Sequence, residues 1–96
     1  MNAAGGTPDA RAIRSAVMDR FGAWGGHWNV TVARLDPGPA GAPVWELVVH
    51  SRRIVKGTLS EVAAASLLRG EPEPDAAWVG ELRPLFDRAV EASRQE

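Results

Sequence analysis

Residues 27–50 (HWNVTVARLDPGPAGAPVWELVVH) hold two runs of alternating apolar and polar positions on either side of the richest turn segment in the chain. Trp28, Val30 and Val32 fall on one face of the first run, and Trp45, Leu47 and Val49 on one face of the second, which is the period of a half-buried strand. The pattern predicts a β-hairpin. Residues 36–43 (DPGPAGAP) are too rich in proline and glycine for regular structure and form its long loop. With Leu35 opposite Val44, Val32 meets Leu47, Val30 meets Val49 and Arg34 meets Trp45, so the two apolar faces coincide. A slip of one residue would set each apolar face against a polar one, so the pattern itself specifies the register. The same pairing gathers His27, Asn29, Thr31, Glu46, Val48 and His50 on the opposite face, which no other segment is patterned to cover.

The remaining segments read as helices and connectors. Residues 1–6 (MNAAGG) have nothing to bury and are expected to be disordered, ahead of a single domain over 7–96. Thr7 as N-cap, Pro8 at the first helical position and Asp9 near the positive end of the helix dipole form a helix start, and Ile13, Val17, Phe21 and Trp24 make one continuous helical stripe that ends among Gly22, Gly25 and Gly26. Residues 51–57 (SRRIVKG) fit either a third strand or a bent continuation of the second. Thr58 and Glu61 have the spacing of a capping box for a helix that buries Leu59, Val62, Ala63, Ser66 and Leu67 and stops at Gly70. After the stiff connector EPEPD, Trp78, Leu82, Leu85, Phe86, Ala89 and Val90 keep helical spacing across Pro84. That spacing predicts one helix kinked between Gly80 and Pro84 or two helices in line. The fold expected is α+β: a small antiparallel meander of two to three strands covered on one face by helices, in the order α-β-β-(β)-α-α.

Composition narrows the function classes more than it selects one. The 96 residues suffice for one core, with four tryptophans as its bulk. Lacking cysteine, the chain can use no disulfide, thiolate or zinc-finger chemistry. No stretch has the length of a membrane span and the first ten residues lack a signal pattern, so a cytoplasmic protein without membrane attachment is expected. Net charge is −1, but residues 1–57 carry seven basic and four acidic side chains, and residues 58–96 carry four basic and eight acidic ones.

The candidate chemistry is sparse. Only His27 and His50 could act as a general base, and neither accompanies a nucleophile elbow, so no catalytic residues, no enzyme activity and no cofactor are expected. In the hairpin register the two histidines are diagonal neighbours at about 7–8 Å, but two nitrogen ligands beside Arg52 make no metal site.

The order helix, three strands, helix is similar to that of double-stranded RNA-binding domains. That resemblance implies basic residues at the start of the second helix, where this chain has Thr58, Leu59, Ser60 and Glu61. A nucleic-acid adaptor would rest instead on Arg11, Arg14, Arg52, Arg53 and Lys56. The stretch TLSEVAAASLLRG looks like the first helix of some helix-turn-helix regulators, yet EPEPD cannot supply the short turn. The leading expectation is a non-catalytic interaction or regulatory module that binds a protein partner or a second copy of itself. Its candidate surfaces are the last helix, through Trp78, Leu82, Leu85, Phe86 and Val90, and the open sheet face, through His27, Asn29, Thr31, Glu46 and His50.

Overall fold

The computed structural model describes residues 9–35, 41 and 44–94. The expected leader 1–6, Thr7, Pro8 and nearly all of the 36–43 loop lie outside those residues. Among the described residues the order is α1 (Ala10–Ala23), β1 (Asn29–Leu35), β2 (Val44–His50), β3 (Ile54–Ser60), α2 (Glu61–Leu68) and α3 (Ala77–Arg94). The fold is α+β, one open antiparallel sheet in the order β1-β2-β3 with helices packed on it.

The β1–β2 register is the one the hydrophobic pattern requires: Leu35 pairs with Val44, Val32 with Leu47, and Val30 with Val49. A third strand exists, but it spans Ile54–Ser60 and not residues 51–57. Ser51, Arg52 and Arg53 form the turn, in which the Ser51 hydroxyl donates to the Arg53 carbonyl at 2.7 Å. Val49 then pairs with Val55, Leu47 with Gly57 and Trp45 with Leu59, which puts a third set of residues on the covered face.

At both helix starts the cap is a residue two positions after the expected threonine. Asp9 is the N-cap of α1, its carboxylate accepting from the Arg11 amide at 2.9 Å. Thr58 caps nothing, because it remains in β3 opposite Glu46. The N-cap of α2 is Ser60, whose hydroxyl accepts from the Ala63 amide at 3.2 Å. The carboxylate that completes the reciprocal cap comes from α3: Glu81 accepts from the Ser60 amide at 2.8 Å and from its hydroxyl at 2.7 Å. The capping box is thus divided between two helices. Both α1 and α2 end on a positive-φ glycine, Gly25 and Gly70, with the paired amide bonds of a Schellman turn.

The core holds Ile13, Val17, Phe21, Val30, Trp45, Leu47, Val49, Leu59, Leu67, Trp78, Leu82, Leu85 and Phe86. Val62, expected inside, is 69% exposed, and Ala64 takes the inward position on α2. Pro84 sits inside one uninterrupted α3; Gly80, whose carbonyl it would crowd, is on the solvent side. A second cluster fastens the 71–76 connector to the helices. Trp24 stacks on Trp78 at 5.9 Å, Arg83 lies over Trp24 at 4.7 Å and Arg20 over Trp78 at 4.8 Å. Glu73 accepts from the Trp24 indole at 3.2 Å, and the buried Trp78 donates to the Glu71 carbonyl at 2.8 Å.

Candidate functional site

The last helix does not offer the apolar surface expected of it. Trp78, Leu82, Leu85 and Phe86 are buried within the chain and Val90 is half-buried, because α3 packs at once against β3, α2 and the aromatic cluster of Phe21, Trp24 and Trp28. Its exposed polar positions are Arg83, Asp87, Glu91 and Arg94, with Glu81 and Arg88 at the margin against β3.

The helices contact the sheet on the side of Val30, Leu47 and Gly57, so the opposite side is left uncovered by the described elements. Strand alternation and register lay that side out in four rows. Leu35, Val44 and Ser60 form the first; Ala33, Glu46 and Thr58 the second; Thr31, Val48 and Lys56 the third; Asn29, His50 and Ile54 the last. Leu35, Val44, Val48 and Ile54 give this face an apolar content, and Ile54 is 65% exposed. Glu46 and Lys56 are diagonal neighbours near its centre.

Asn29, Thr31, Glu46 and His50 lie on this face as the register requires, but His27 does not. It precedes β1, and its imidazole lies 3.7 Å from where a side chain at Gly22 of α1 would begin. Among the described residues no three His, Asp or Glu side chains come together as metal ligands.

The basic residues are divided among different surroundings. Arg14 is exposed but committed to β1: its Nε donates to the Val30 carbonyl at 2.6 Å and its terminal nitrogen to the Asn29 side chain at 2.8 Å. Arg11 is exposed one turn earlier on α1, Arg52 and Arg53 lie in the β2–β3 turn, and Lys56 stands on the uncovered face. At the start of α2, Glu61 and Glu81 place negative charge where the RNA-binding resemblance asks for positive.

Sequence reasoning did not find the side chains that cap the sheet edges. Arg14 holds the Val30 carbonyl of β1; on β3, Arg88 donates to the Lys56 carbonyl at 2.9 Å and Glu81 takes the Ser60 amide. A signal exists in the spacing of α3: Glu81, Leu85 and Arg88 are two helical turns on one face, and Leu85 meets Gly57 between the two polar caps.

No protein-family model matches this chain, and comparison with characterised proteins and with solved structures finds no similar one. Among the described residues no helix is long and apolar enough to cross a membrane.

Proposed function

We propose that this protein is a non-catalytic interaction module that binds a protein partner through the uncovered side of its sheet. The observation that carries this reading is the one-sided placement of α1, α2 and α3. They bury Val30, Trp45, Leu47, Val49 and Leu59, and they leave Leu35, Val44, Val48 and Ile54 in reach of a second molecule. Apolar positions interspersed with Thr31, Thr58, Glu46 and Lys56 give the mixed composition of a non-obligate contact surface. Such a face gains little from nucleic acid, because among the described residues it presents one lysine, one carboxylate and, apart from the His50 imidazole at one end, no aromatic ring for base stacking.

The test is affinity capture of the full chain from its native host, run in parallel with an Ile54→Asp, Lys56→Glu double variant. Both positions are exposed, so the variant should keep the wild-type melting transition. The expected result is a protein partner retained by the wild type and lost by the variant. Equal capture by both would contradict the reading.

A further inference from the structure

We propose that the outer edge of β1 is a second binding element that takes an extended, acidic segment of another protein as a fourth strand. This rests on the interaction-module reading above and adds the partner's backbone form and charge.

The strand edges are unequal. In an antiparallel sheet, alternate residues of an edge strand turn both backbone groups outward. The Arg14 bond to the Val30 carbonyl marks Val30, Val32 and Arg34 as the outward set on β1. The Lys56 and Ser60 contacts mark the even-numbered residues on β3, and the two registers make these assignments mutually consistent. On β3, α3 packs alongside and supplies Arg88 to the Lys56 carbonyl and Glu81 to the Ser60 amide, so that of the outward set only Ile54 and Thr58 lack a cap among the described residues. On β1, Arg14 caps the Val30 end, while among the described residues the outward groups of Val32 and Arg34 have no such cap. An uncapped edge is a template for another strand.

Charge selects the occupant. His27 beside Gly22 and Arg14 beside Val30 show that α1 and β1 run in opposite directions. Arg11, about 4.5 Å nearer the helix start than Arg14, therefore falls between one and two strand residues past Val30, toward Val32, and Arg34 follows on the strand itself. Three arginines thus line the margin between α1 and the β1 edge, and the nearby Asp9 carboxylate is engaged with the first turn of α1. Pairing β1 with β1 of a second copy would bring two such sets of arginines together, which opposes a homodimer here. A phosphate backbone would meet the arginines but could not pair with alternating N–H and C=O groups. An extended peptide with acidic residues at every second position satisfies both features.

The experiment uses the full chain, ¹⁵N-labelled, with a capped peptide alternating glutamate and threonine, the matching lysine–threonine peptide, and an N-methylated glutamate–threonine peptide. The expected result is slowing of Val32 and Arg34 amide exchange by about tenfold or more with the acidic peptide only. Binding should weaken by about tenfold or more in an Arg11→Glu, Arg34→Glu variant, both positions being exposed. Equal binding of the N-methylated peptide, or of generic RNA in its place, would overturn strand addition. Shifts confined to Val48, Lys56 and Ile54 would also overturn it, while leaving the sheet-face reading standing. No response at millimolar peptide would overturn it as well, and the Ile54, Lys56 capture comparison would then judge the sheet-face reading separately.

Discussion

At Gly26 a single added carbon would fall 2.6 Å from the Trp28 ring and 2.7 Å from Phe86, both parts of a packed aromatic cluster that cannot retreat. At Gly80 the same carbon would meet nothing within 4 Å. Gly26→Ala should therefore cost about 1–3 kcal/mol by overpacking, and Gly80→Ala, in an exposed helical turn, should stabilise by about 0.5–1 kcal/mol. Urea titrations of the two variants check the opposite signs. A carboxylate supplies the other residue-scale expectation. Bonds from the buried Ser66 hydroxyl first and then from Arg69 hold the Glu71 carboxyl below its ordinary value of 4.5. Because the folded value is the lower one, its stabilising contribution is fully present above pH 4.5 and disappears as pH falls through the depressed folded value. Ser66→Ala should flatten that part of the stability profile, as measured by thermal melts from neutral pH into acid.

The hairpin is the element most legible in the sequence, because Val30, Val32, Leu47 and Val49 admit one register and a slip would expose all of them. The α2 start was misplaced at Thr58 for the converse reason. A T-x-x-E pattern is local, and it cannot report that Thr58 and Ser60 stay paired to Glu46 and Val44 of β2. Nor can it report a carboxylate arriving from Glu81, 21 residues on. Ser60→Ala and Glu81→Ala should each cost about 1–2 kcal/mol, whereas Thr58→Ala should leave the helix cap intact. A double-mutant cycle should show the Ser60 and Glu81 effects to be non-additive, since the two residues form one cap. The candidate surface on α3 fails for a similar reason: the pattern shows Trp78, Leu82, Leu85 and Phe86 on one helix face, but only packing reveals that β3, α2 and the Phe21 cluster together bury them.

Across the whole molecule, the basic bias of the first half and the acidic bias of the second become two differently finished sides. Arg14 holds the Val30 carbonyl of β1 and Arg34 stands on that strand, while Glu81 and Arg88 of α3 bond to the β3 edge. The uncovered sheet face was legible because strand alternation assigns it, apart from His27, whose place depended on where β1 begins. The edge caps were not legible, since each joins residues far apart in the chain. That face also carries its own reporter, because Lys56 is the chain's sole lysine and is exposed in the third row of the sheet. Acylation of Lys56, followed by peptide mass spectrometry with and without the captured partner, tests the central claim most directly. The account predicts that the bound partner slows Lys56 labelling severalfold while leaving the α-amino group unaffected; labelling at an unchanged rate in the complex would contradict it.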